Sequence, residues 1–304
     1  MRKLAWLLLV AAGFAQQPAP PAAAAAPRVL IVVAHPDDES CFAAATYRIA
    51  KELGGTVDQA VITNGEGGFR YSLLAEPYYG VKLTDEAVGR AHLPAIRKQE
   101  LLEAGKVLGI RRHYFLEQKD EHYTQDAHEV LEKTWRTKWV LARLEQLLAV
   151  QRYDFVFTLF PDPETHGAHK AATILALEAV ATQPAERRPI VLGCEDSARA
   201  DAKPVSFRGL DDYPITQPMA AAPSFQFDRA VKFGFRDALD YQIIVNWVIA
   251  AHKSQGLFQM GYNKYDLEDF ALFAADGDGA VAKTEQLFER LKRAPEAAAP
   301  APAK

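Results

Sequence analysis

The chain has 304 residues, 49% of them hydrophobic and 24% charged, an ordinary globular balance with room for one large domain or two small ones. Its formal net charge of −4, without any basic stripe, excludes the electrostatic footprint of a nucleic-acid binder. Cys41 and Cys194 are too few for a structural zinc cluster; in a chain this large they read as buried, unpaired small hydrophobes.

In chain order, the first segment carries a processing signal. Arg2 and Lys3 precede an apolar run over residues 4–12 that is too short to span a bilayer. Gly13, Phe14 and Ala15 then put small residues at the two positions a signal peptidase reads. The expectation is a cleaved signal peptide over residues 1–15, export to a bacterial periplasm or beyond, and no membrane span in the mature protein. Residues 16–27 are rich in Ala and Pro and read as a spacer, and residues 293–304 repeat that character. Residues 28–292 are expected to form one domain.

The domain opens on an uncharged β-branched run, Val29, Leu30, Ile31, Val32 and Val33, which reads as a strand buried on both faces. Residues 39–53 have apolar positions at helical spacing and stop at Gly54 and Gly55. Residues 57–63 predict a second strand, followed by the glycine-rich turn Asn64, Gly65, Glu66, Gly67, Gly68, which lacks the spacing of a dinucleotide or P-loop fingerprint. The aromatic stretch 69–92 is expected to be either a pocket wall or lid, or a surface excursion. Helices are predicted over 93–108, 137–150, 170–180 and 237–251, and strands over 113–116, 153–160 and 189–193. This alternation predicts a Rossmann-like, three-layer α/β/α fold with a mostly parallel sheet.

Two polar clusters follow buried strands: Ala34, His35, Pro36, Asp37, Asp38, Glu39 after the first, and a run ending in His166, Gly167, Ala168, His169 after the fourth. In open α/β sheets, ligands bind at the carboxyl ends of strands. An imidazole and two carboxylates gathered there are costly unless a cation neutralises them. His35, Asp38 and His169 supply two imidazoles and one carboxylate, a catalytic zinc set that leaves a position for water. One divalent ion per chain is expected, zinc or another such as ferrous iron. Zinc brings the pKa of a bound water to about 7. Asp37 is left over as a candidate general base, and His166, one turn from His169, as the group that stabilises an oxyanion as an imidazolium and protonates a leaving amine. His92, His113 and His128 read as packed or solvent-facing residues.

The AHPDDE segment after the first strand, with a later HxxH opening a helix, resembles the PIG-L/LmbE superfamily of zinc-dependent de-N-acetylases. Thr63-Asn64-Gly65-Glu66 looks like that family's TxGE turn, Arg97 with Glu100 its RxxE helix motif, Leu108-Gly109-Ile110 its LG-aliphatic ending, and His252-Lys253-Ser254-Gln255 its HxSQ element. The resemblance implies a deacetylase acting on an N-acetylglucosamine-type small molecule or glycoconjugate. It carries the metal-ligand role to His35, Asp38 and His169, the base to Asp37, the acid to His166, and substrate contacts to Arg97 and Asp120. One departure stands out: the family's common HPDH is HGAH here. Two other readings are an amidase acting on a non-sugar amide and a non-catalytic carbohydrate-binding protein on the same scaffold.

Overall fold

The computed structural model describes residues 25–201, 205, 207–260 and 265–293. The segment expected to be a signal peptide, most of the expected spacer and all but the first residue of the expected tail lie outside the described residues. Seven strands form the central sheet in the order β3-β2-β1-β4-β5-β9-β6. They are β1 (Arg28–Val33), β2 (Thr56–Thr63), β3 (Arg112–Gln118), β4 (Phe155–Leu159), β5 (Ile190–Ser197), β6 (Phe225–Asp228) and β9 (Leu267–Leu272). A separate two-stranded ribbon pairs β7 (Lys232–Phe233) with β8 (Leu239–Asp240). The first five strands of the order are parallel, and β9 runs antiparallel to both β5 and β6. The expected mostly parallel α/β sheet is therefore present.

Side-chain alternation along β1 builds the three layers. Val29, Ile31 and Val33 face one core, shared with α1 (Ala43–Tyr47), α3 (Glu86–Leu108), α7 (Gln242–Ala251) and α8 (Ala280–Lys292). Leu30, Val32 and Ala34 face the other, shared with α5 (Thr137–Val150) and α6 (Gly167–Ala181). A strand buried on both faces needs apolar residues at every position, which is why β1 reads as an unbroken apolar run. β1 has β2 on one side and β4 on the other, so the sheet order reverses beside it and a crevice opens at the carboxyl ends of β1 and β4.

Several expected boundaries shift. Residues 38–52 are helical, but as a 3-10 turn (Asp38–Phe42), α1, and a π turn (Arg48–Glu52) rather than one α-helix. Helix α3 starts at Glu86, not residue 93, because Asp85 caps it by accepting from the Val88 N–H; Pro94 sits inside it. Helix α7 starts at Gln242, because the segment expected to begin it forms the β7–β8 ribbon and the turn beside it. Strand β5 extends to Ser197 because β9 pairs along it. Strands β6 and β9 and helix α8 are findings of the structure; their short, charge-interrupted stretches carry no clear period. Both cysteines are free and buried, as expected.

The 69–92 stretch folds as short turns (Glu66–Tyr71 and Leu73–Ala75), the single turn α2 (Glu76–Tyr79) and the start of α3. It packs through its own small core of Phe69, Ala75, Leu83 and Leu93. Phe69, Arg70, Tyr71, Glu86 and Arg90 from this stretch line the central cavity, so it forms a wall.

Candidate active site

The loop after β1 carries the centre of the site. Asp38 anchors it: one carboxylate oxygen accepts from the backbone N–H groups of Ala34 (3.0 Å) and His35 (2.8 Å). That leaves Oδ1 facing the histidines, 3.2 Å from His169 Nε2 and 3.6 Å from His35 Nδ1. His35 Nδ1 and His169 Nε2 lie 3.0 Å apart. Asp37 adopts φ 151°, a backbone angle rarely taken by residues with a side chain. The strained residue is clamped by Arg97, whose guanidinium donates to Asp37 Oδ2 (2.7 Å) and to the Pro36 carbonyl (2.9 Å).

The glycine turn after β2 lets the chain pass close to three site residues. Gly65 has φ 70° and accepts from Arg97 at 2.6 Å; a Cβ there would collide with the guanidinium. A Cβ on Gly68 would lie 2.6 Å from the Gln255 side-chain oxygen. The Gly67 N–H donates to Asp120 Oδ2 at 3.1 Å. Asp120, in the loop after β3, places its other oxygen 3.6 Å from His35 Nε2. A carboxylate on the second nitrogen of an imidazole fixes its tautomer and orientation. Asp120 also lines the cavity, as does Arg97.

From the far side of the crevice, His166 is the residue before α6 and His169 lies in its first turn. The His166 ring stacks on His35, with centroids 5.0 Å apart and planes within 19°. Its outer face is covered by Tyr123, with centroids 4.9 Å apart and planes within 6°. Tyr123 was not legible as a site residue, because it comes from a loop without a motif. The cavity beside these groups measures about 500 Å³.

The third sequence element, His252-Lys253-Ser254-Gln255, locks the others together. His252 Nε2 lies 2.6 Å from Glu39 Oε1, with both side chains buried. Ser254 donates to Glu100 from its N–H (2.8 Å) and its hydroxyl (2.6 Å), and Tyr79 adds a third donor at 2.8 Å. Gln255 donates to the Gly68 carbonyl at 3.4 Å and lines the cavity.

Burial and close charges move the ionisable groups of the site away from their ordinary pKa values. Burial lowers the His35 pKa, yet Asp120 and Asp38 more than reverse this and hold it at about 10. Burial favours a protonated Asp38, but His169 and His35 hold it well below the ordinary carboxylate range. Burial raises Asp37 to about 6 against the pull of Arg97. Burial, with the rings of His35 and His169, pushes His166 down to about 3. Burial and the neighbouring rings thus oppose the imidazolium form of His166 expected from the sequence. Its Nε2 is buried without a partner. The imidazoles of His35, His166 and His169 bring ligand atoms within 4.8 Å of one another. The two facing nitrogens of His35 and His169 and the anchored carboxylate oxygen of Asp38 are donors that fit a divalent cation such as zinc.

Fold and cluster together define the class: a Rossmann-like α/β protein with an enzyme-type site at its switch point. Residues 30–180 match the family described as PIG-L: GlcNAc-PI de-N-acetylase, and the chain belongs to the PIG-L/LmbE superfamily of deacetylases. No curated protein sequence matches it. Among solved structures, the A40926 pseudoaglycone deacetylase is 16% identical with a TM-score of 0.52, over 83% of this chain and 99% of that one. A deacetylase of teicoplanin biosynthesis is likewise 16% identical with a TM-score of 0.52, over 82% and 100%. The N,N'-diacetylchitobiose deacetylase of Pyrococcus horikoshii is 26% identical with a TM-score of 0.38, over 51% of this chain and 49% of that one, so the chain spans about half its length.

Proposed function

We propose that this chain hydrolyses the N-acetyl group of an N-acetylglucosamine-type sugar conjugate, with one divalent ion, zinc foremost. The observation that carries the reading is the convergence of His35, Asp38 and His169 beside the Arg97-paired carboxylate of Asp37, at the edge of a cavity of about 500 Å³. His35, Asp38 and His169 would hold the ion, which when bound supplies Lewis acidity for the carbonyl and for water. Asp37, aimed by Arg97, takes the proton of the attacking water. Neutral His166 donates a hydrogen bond to the developing oxyanion. Asp37, holding the proton it took from the water, then returns it to the departing amine. Asp120 steadies His35 and, with Arg97, faces the sugar hydroxyls. The basic start, the short apolar run and the small residues Gly13 and Ala15 support export, with the mature chain beginning at residue 16.

The test is acetate release from a panel of N-acetylglucosamine conjugates, with metal content measured on the same purified protein. Acetate release with about one ion per chain is the expected result. Metal without acetate release, and cleavage of peptide amides instead, would replace the sugar substrate with another amide. Intact mass of the exported protein checks cleavage after Ala15.

A further inference from the structure

We propose that Tyr123 is a specificity-determining residue, a platform for the sugar unit next to the one that carries the N-acetyl group. The inference rests on the deacetylase reading above and names a substrate class for it: glycans or glycoconjugates with a second ring. One face of Tyr123 lies flat on His166, yet 67% of the residue is exposed. Both residues line the cavity, and the face of the ring turned away from His166 is uncovered by that stack. An aromatic ring fixed on one face and open on the other offers an apolar surface at low entropic cost, suited to the C–H face of a pyranose.

The loop that carries Tyr123 is built to hold it there. The Gly167 N–H donates to the Thr124 carbonyl at 2.6 Å. A Cβ at position 167 would lie 2.8 Å from the Asp126 carbonyl oxygen, so only glycine lets the loop approach the start of α6 this closely. Proline, which occupies this position in the common form of the motif, has no N–H to donate. The Gln125 side chain adds a bond to the Glu164 carbonyl (2.8 Å), and Lys170 Nζ one to the Gln125 carbonyl (2.8 Å). The free N–H of Gly167 and the missing Cβ there thus dock the loop that presents Tyr123.

The experiment compares N,N'-diacetylchitobiose with N-acetylglucosamine as substrates. Tyr123→Ala is expected to raise KM for the disaccharide about tenfold while changing KM for the monosaccharide less than about threefold, the scale of one lost ring contact. Tyr123→Phe restores most of the loss. Gly167→Ala, which displaces the loop with Tyr123 intact, reproduces the disaccharide defect. Equal changes for both sugars, or none for either, overturn the proposal. If the wild type hydrolyses neither sugar, the deacetylase reading fails first, and calorimetric binding of the two sugars to Asp37→Ala and to Asp37→Ala/Tyr123→Ala still decides the platform. Loss of disaccharide preference in the double variant upholds it, and an unchanged preference overturns it.

Discussion

The molecule divides into two regions that contribute differently to one site. Residues 28–181 form the parallel strands β1 to β4 with their helices, and this region carries every group placed in the chemistry: His35, Asp37, Asp38, Arg97, Asp120, His166 and His169. Residues 190–293 complete the sheet with the parallel strand β5, the antiparallel β9 and the edge strand β6, and supply no reacting group, but they hold the first region in place. Arg229, fully buried after β6, donates to Glu268 (3.0 Å) and to the carbonyls of Ser40 (2.8 Å) and Cys41 (3.2 Å). Glu268, on β9, accepts from the N–H groups of Ala44 (2.8 Å) and Ala45 (2.9 Å) at the start of α1. The loop that displays Asp37 and Asp38 is thus fastened from below by charges that come from the far half of the chain. The family match, which ends at residue 180, follows the same division. Chemistry is concentrated in the first region, and rigidity is imported from the second.

The comparison breaks most severely at Arg229. Arg229→Ala strands Glu268 and Asp196 without a cation in the interior, and is expected to cost about 3–5 kcal/mol in a denaturant titration. If the cost is below about 1 kcal/mol, the second region is not fastening the first, because surface substitutions reach that size. A change in the first region has the opposite signature. Asp37→Ala should retain its metal while kcat falls about a hundredfold or more, the scale of general-base catalysis. Activity within a factor of a few of wild type would remove Asp37 from the mechanism.

Ser254→Ala sharpens the division further. It removes one of three donors to buried Glu100 and should cost about 1–3 kcal/mol, the penalty of an unsatisfied buried group, with KM raised more than kcat is lowered. A lower kcat at constant KM would move the His252 to Gln255 element from support to chemistry.

The smallest effect is in the pH dependence of stability. Burial lowers the His252 pKa, but the contact with Glu39 outweighs burial and leaves it above the ordinary value. A histidine raised on folding stabilises the fold fully below its unfolded pKa of about 6.5 and loses that contribution as pH rises through the folded value. Denaturation midpoints of the wild type should therefore fall from neutral into alkaline pH more steeply than those of His252→Gln. Parallel profiles would show that the pair contributes no pH-linked stability.

What the sequence determined by itself is local. The unbroken apolar run of β1, the alternation of strands and helices, and the positions of His35, Asp38, Asp37, His166 and His169 at strand ends were all legible, because burial on two faces and switch-point geometry leave direct patterns in a linear chain. Even the shifted start of α3 traces to a single capping residue, Asp85. Other features were decided only by tertiary structure. That Arg229 neutralises Glu268, that His252 meets Glu39, that Glu100 gathers Ser254 and Tyr79, and that Tyr123 covers His166 depend on contacts between segments distant in the chain. β6, β9 and α8 were missed for a related reason. Strand pairing across long separations is set by what completes a sheet edge, and β9 exists because β5 needed a partner. Patterns of two or three residues carry chemistry in the sequence, while the burial that orients them and shifts their pKa values exists only once the chain has folded.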